Sequence, residues 1–131
     1  MIPALQQEVD CLRVRGVEVE ILEHAGQTYV LASRVAAPSP PWDRQAYDIL
    51  IAVPLLFDQA SLDAFYVALP YKFQDGKHER VNGPVIRIRD REWQLVSWHY
   101  LDGKPWKSGL DTLETHIEHC KGFFLTRGVR P

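Results

Sequence analysis

The sequence predicts an α+β domain in which an N-terminal helix, a four-stranded antiparallel meander, a long loop of the kind that shapes a site, and a C-terminal helix follow one another. Three observations predict it. Apolar residues at helical spacing open the chain, strand-like runs separated by turn residues fill its middle, and a second helical stripe comes near its end.

Ala4, Leu5, Val9 and Leu12 recur at helical spacing before Gly16, so residues 3–14 form a short amphipathic helix that docks on a sheet. "VEVEILEH" alternates Val17, Val19 and Ile21 with Glu18, Glu20 and Glu23, and "AGQ" turns it into "TYVLASRV" as a β-hairpin. "AAPSPPWD" places three prolines within four residues, which excludes helix and interior strand and gives a stiff connector. "AYDILIAV" is rich enough in Leu, Ile and Val to be a central strand, and "DAFYVAL" after "PLLFDQASL" is the fourth. From Tyr71 to Asn82, "YKFQDGKHERVN" is polar and aperiodic, a surface loop. "GPVIRIRD" is either a short strand or a loop anchored by Val85, Ile86 and Ile88, and "REWQLVSW" is extended. Ser108 or Asp111 caps the last helix, with Glu114 completing a capping box after Asp111; Leu110, Leu113, Ile117, Cys120 and Phe124 form its apolar face, and Gly128 follows it.

With 131 residues, 46% hydrophobic and 24% charged, residues 1–131 fit a single domain. At that size folding buries roughly two-thirds of the surface the unfolded chain exposes. The formal charge of −2 comes from interspersed acids and bases, so no basic stripe points to nucleic acid and no polybasic patch to a membrane. No run approaches the ~20 apolar residues of a membrane span, and the N-terminal segment has acids and glutamines where a signal peptide has a continuous apolar run. Cys11 and Cys120 are too few for a disulfide scaffold or paired metal ligands, which makes a reducing cytoplasm the expected compartment. No cofactor is implied.

The chemistry concentrates in "REWQLVSWHYLDGKPWKSGLDTLETHIEHC", residues 91–120. Alternation along an extended segment sends Val96, Trp98 and Tyr100 to a core face, and Leu95, Ser97 and His99 to the more open side. Ser97 and His99 then stand about 6 to 7 Å apart by backbone rise, within reach of each other if the strand kinks. A serine needs such a base to act as a nucleophile. The plainer alternative is that Ser97 satisfies a backbone group and His99 packs on the rim. Cysteine is intrinsically the stronger nucleophile, but Cys120 lies on the apolar helix face, where burial raises its pKa, and Cys11 borders the docking face of the first helix. His116 and His119 stand at i, i+3, a spacing that chelates a metal when a third ligand arrives; none is evident, so no metal is expected and a solvated helix edge is the simpler account. Asp63 and the Asp-Gly pairs at 75–76 and 102–103 are turn chemistry.

Two longer stretches resemble a known family. "VPLLFDQASLDAFYV" is similar to the proline-rich passage between the third and fourth strands of ubiquitin-conjugating enzymes, with Pro54 and Phe57 preceding Asp63 and Phe65. "WQLVSWHYLDGKPWKSGLDTLETHI" resembles the bacterial branch called prokaryotic family E, with its Trp-Gln, Ser-x-His and Trp-x-x-Gly-x-Asp run. The resemblance implies a ubiquitin-conjugating-enzyme-like fold and a bacterial pathway with a ubiquitin-like protein, a ThiF-like activating enzyme and a JAB-type metalloprotease as partners. This sequence departs from the eukaryotic pattern: it has no His-Pro-Asn, and the window nine or ten residues before Trp106, where a catalytic cysteine stands in that pattern, holds Ser97.

Two functions follow from different classes. In the first, Ser97 assisted by His99 accepts the modifier as an oxyester, with His78 and Asn82, or backbone N–H groups near Gly83, supporting the oxyanion or the loop. In the second, an inactive domain of the same fold binds the modifier or the activating enzyme as an adaptor.

Overall fold

A computed structural model describes residues 2–57, 60–101, 104–108 and 110–129. Helix α1 (Pro3–Val14) starts at Pro3, whose fixed φ suits a first helical turn, and buries Leu5, Val9 and Leu12. Strands β1 (Val19–His24) and β2 (Gln27–Ala36) form the expected hairpin, with Ala25 and Gly26 both at positive φ in the two-residue turn. Strands β3 (Ala46–Val53) and β4 (Phe65–Ala68) complete four consecutive antiparallel neighbours. A bulge interrupts β2 between Ala32 and Val35, and Asp48 of β3 accepts the Arg34 N–H there at 3.0 Å.

The sheet does not stop at four strands. Strand β5 (Val81–Ile88) and strand β6 (Arg91–Val96) form a second hairpin through Arg89 and Asp90, both at positive φ, and give the order β1-β2-β3-β4-β6-β5. The expected 71–82 loop is therefore shorter at its end, and of the two alternatives for "GPVIRIRD" the strand is adopted over Gly83–Ile88. Gly83 and Pro84 hide the strand because they sit where its register shifts, between Val81 and Val85. Leu95 of β6 packs directly across Gly83: a Cβ there would lie 2.6 Å from the Leu95 Cβ, so only glycine fits.

The two sheet faces are filled differently. One carries Val30, Ile49, Ile51, Phe65, Val67 and Val96 into the main core beneath both helices. On the other, Leu22, Tyr29, Leu50, Ala68, Ile88 and Trp93 form a smaller buried cluster. The end of the second hairpin curls over it: Arg89 reaches Glu20 of β1 at 2.8 Å, and Arg91 pairs with Asp48 at 2.8 Å while lying over the Trp93 ring.

Helix α2 (Leu113–Leu125) departs from expectation at its start. Its N-cap is Thr112, not Ser108 or Asp111: Thr112 Oγ1 accepts the Thr115 N–H at 3.2 Å and Thr115 Oγ1 accepts the Thr112 N–H at 2.8 Å. Asp111 instead accepts the Lys107 N–H, which leaves its carboxylate one residue too early to cap. Glu8 of α1 accepts the Leu113 N–H at 2.7 Å, and Arg15 makes a two-point pair with Glu114 at 2.9 and 2.5 Å, so both side chains tie the first helix to the start of the second. Leu110 precedes the helix and is exposed rather than part of its apolar face. Leu113, Cys120, Phe123 and Phe124 are buried, with Ile117 partly so. His116 is not on a solvated edge. It is fully buried, because the helix turns its 113, 116, 120 and 123 positions together onto the sheet.

Burial pulls the His116 imidazole from its ordinary 6.5 to about 4, helped by the nearby His119 and opposed by its bond to the Ala64 carbonyl. Between those two values the unfolded chain binds a proton that the folded chain does not, so stability falls as pH drops from about 6.5 towards 4. The loss approaches ~3 kcal/mol over that window. Urea unfolding midpoints measured across it will show the decline, and His116→Gln will flatten it; an equal slope in the variant would assign the loss to other groups. Cys120→Ala, which deletes a small fully buried group, will lower stability by about 1 kcal/mol in the same assay.

Candidate functional site

β6 ends at Val96, where the chain makes a tight turn as the Trp98 N–H donates to the Val96 carbonyl at 2.9 Å, and burial still alternates from Val96 to His99. Val96 and Trp98 are buried, and Trp98 donates its indole N–H to the His119 carbonyl at 2.9 Å, fixing the segment to α2. Ser97 is half-buried and His99 exposed, as alternation expects. The Ser97 N–H donates to the Arg80 carbonyl at 2.7 Å, which places Ser97 beside the end of the 71–80 loop; the Arg80 guanidinium lies over the Trp98 ring at 5.6 Å and donates to the Gly128 carbonyl.

His99 turns elsewhere than the loop. Its Nδ1 lies 2.9 Å from Asp63 Oδ2, across from the β3–β4 connection, with the two side chains 57% and 54% exposed. A carboxylate on one ring nitrogen holds that nitrogen's proton and leaves Nε2 with its lone pair, the form in which imidazole acts as a base. Asp63 therefore does more than turn the chain. It lies 36 residues from His99, and only the adjacency of β4 and β6, with Phe65 opposite Val96, brings the two together. Among the described residues no hydrogen bond joins Ser97 to His99.

The other expected residues divide. His78 is buried, with Nε2 donating to the Arg127 carbonyl at 2.8 Å and Nδ1 accepting the Arg80 N–H at 3.0 Å, so Nε2 holds the loop to the turn after α2 and Nδ1 fixes the ring within the loop. Gly128 permits that contact: at its φ of 73°, a Cβ would lie 2.5 Å from His78 Cε1. Asn82 is exposed on β5, next to Val81, the partner of Val96. Cys120 is fully buried, and burial pushes its thiol well up, away from the reactive thiolate. Cys11 is exposed in a groove of about 260 Å³ with Glu8, Arg15, Thr112 and Glu114, whose described lining includes no imidazole. The Asp-Gly pair at 102–103, expected as turn chemistry, and Gly109 lie outside the described residues. Among the described residues no group of three metal-ligating side chains occurs and no helix is long and apolar enough to cross a membrane.

Beneath the pair, Tyr100 points inward, its ring stacked on His119 at 4.0 Å and its hydroxyl 2.7 Å from His116 Nδ1. Burial raises the Tyr100 hydroxyl far above its ordinary range, so it stays a donor. Trp106 lies edge-on to Tyr100 at 6.0 Å.

No curated protein and no solved structure matches the chain. The family model described as Prokaryotic E2 family E matches residues 4–124, a span that takes in the whole sheet, Asp63, Ser97, His99 and nearly all of both helices. With two helices flanking an open antiparallel sheet in the ubiquitin-conjugating-enzyme-like manner, and with that match over most of its length, the chain belongs to prokaryotic E2 family E.

Proposed function

We propose that the chain carries a ubiquitin-like protein in a bacterial modification pathway, taking the modifier's C-terminus from a ThiF-like activating enzyme as an oxyester on Ser97. The observation that supports it is the Asp63–His99 pair, two residues along from Ser97 on an accessible surface, in a chain whose Cys120 is sealed in the core. In the transfer, His99 Nε2 takes the proton from Ser97 Oγ as the oxygen attacks the carbonyl of the modifier's thioester. The new C–O bond forms, the C–S bond breaks, and the proton passes to the departing thiolate. Asp63 stabilises the imidazolium between those events. The step requires His99 to close on Ser97 when the loaded modifier docks, as catalytic hydrogen bonds commonly tighten only in the complex. Asn82 on β5 and backbone N–H groups near Gly83 are the oxyanion donors of this scheme, and His78 supports it by fixing the loop. A JAB-type metalloprotease belongs to the same cytoplasmic pathway in this proposal.

The second reading is a non-catalytic adaptor that binds the modifier or the activating enzyme. The missing Ser97–His99 hydrogen bond among the described residues and the missing cysteine in the window before Trp106 favour it.

Incubation with activating enzyme, modifier and ATP separates the two. A carrier gives a covalent adduct that hydroxylamine cleaves and reductant does not, whereas an adaptor gives binding alone. Ser97→Ala will abolish the adduct, and Ser97→Cys will replace it with a thioester that reductant cleaves. His99→Ala will slow acylation on the order of 10²-fold or more, with part of the deficit recovered at higher pH, where hydroxyl deprotonation needs less help from a base. Adduct at the parent rate from Ser97→Ala would transfer the case to the adaptor.

A further inference from the structure

The imidazole buried deepest in the molecule belongs to His116, a residue the transfer scheme does not use. Its Nε2 lies 2.9 Å from the Ala64 carbonyl, which can only accept, so Nε2 carries the proton. Nδ1 is then bare, and the Tyr100 hydroxyl donates to it at 2.7 Å. Ala64 directly follows Asp63, and Tyr100 directly follows His99. The two side chains that meet on the surface at 2.9 Å are thus each one residue away from a group that His116 joins inside. Tyr100 turns inward onto His116 and His119 while the adjoining His99 turns outward to Asp63, so fastening Tyr100 inside constrains the direction in which His99 leaves the chain. Ala64 adds a second reason for a clamp. It is buried and held at φ 53°, a conformation an alanine adopts only under constraint, and the bond from His116 orients its peptide immediately after Asp63.

We infer that His116 is the positioning residue of the Asp63–His99 pair, clasping the two backbone segments from helix α2 so that carboxylate and imidazole meet. The clasp needs His116 neutral, because a proton on Nδ1 would remove the acceptor that Tyr100 uses. Tyr100 bonds to it directly, His119, Asp63 and Asp111 act on it through space, and burial outweighs the two carboxylates. The inference rests on the proposed role of the pair in transfer, but the arrangement can be tested without transfer.

Tyr100→Phe removes one arm of the clasp and leaves the ring stack on His119 and the His116–Ala64 bond in place. Long-range ¹H–¹⁵N spectra of the His99 ring, recorded on the modifier-free protein with its imidazoles neutral, read the tautomer. The parent will show the Nδ1–H form that Asp63 holds, and Asp63→Asn will show the averaged shifts of a mixture. Tyr100→Phe will move His99 towards that mixture, as will His116→Gln, whose amide keeps a donor for Ala64 but offers no acceptor at the Nδ1 position. Cys120→Ala, which loosens the same helix one turn along but removes none of the clasp's hydrogen bonds, will leave the His99 tautomer as in the parent. In the adduct assay Tyr100→Phe will acylate on the order of tenfold more slowly with little change in KM for the loaded activating enzyme. A parent-like His99 tautomer in both Tyr100→Phe and His116→Gln, or an equal change in Cys120→Ala, would overturn the inference. Adduct from Ser97→Ala would instead sink the carrier role while leaving the tautomer result standing.

Discussion

The seat of helix α2 on the sheet is the constraint on which everything else depends, and Trp42 makes it. Its indole N–H donates to the Phe124 carbonyl at 2.9 Å, and its ring is enclosed by Tyr47, Tyr71, Phe73, His78, Phe123 and Phe124. A buried indole without a partner is costly, so the bond fixes where along α2 the proline-rich connector docks. That choice of position sets the rest. It puts Phe123 under His78, so that the 71–80 loop folds against the end of the helix, and it leaves His116, two turns earlier, under Ala64 and Tyr100. Loop, helix and site are held by one packing arrangement.

The elements whose periodicity was clean were legible from the residues alone. Leu5, Val9 and Leu12 wrote out α1, and the Val/Glu alternation with an Ala-Gly turn wrote out the first hairpin. Ser97, half-buried, and His99, exposed, fell on the side that alternation assigned them, with Val96 and Trp98 opposite. Strand β5 was ambiguous because its signal is split by Gly83 and Pro84, residues that break a period locally but that a register shift accommodates. The cap of α2 was misplaced for a related reason. Asp111 and Thr112 are both good caps, and the choice between them depends on Asp111 being already engaged by the Lys107 N–H, a contact between backbone and side chain that no propensity encodes.

The site was legible only by halves. Ser97 and His99 share one short segment, so spacing could suggest them. Asp63 looked like turn chemistry because its partner is 36 residues away and becomes its neighbour only through the crossover that inserts β6 beside β4. His116 was hidden more thoroughly. A histidine among Leu113, Cys120 and Phe123 has the composition of a helix edge but the placement of a core residue, and nothing short of the fold reveals two backbone-linked groups waiting for its nitrogens. Polar residues that serve tertiary geometry are the ones that local pattern describes worst.

Strand β5 is the last in the sheet order, and a terminal strand is a template onto which another copy's backbone can zip. Pro84 withholds an N–H from that row, the shift at Gly83 breaks the spacing an incoming strand would have to match, and exposed Arg87 adds charge. The glycine that lets Leu95 close down on its neighbour therefore also spoils the outer rim as a pairing surface. That edge of the sheet is in this way kept from growing sideways.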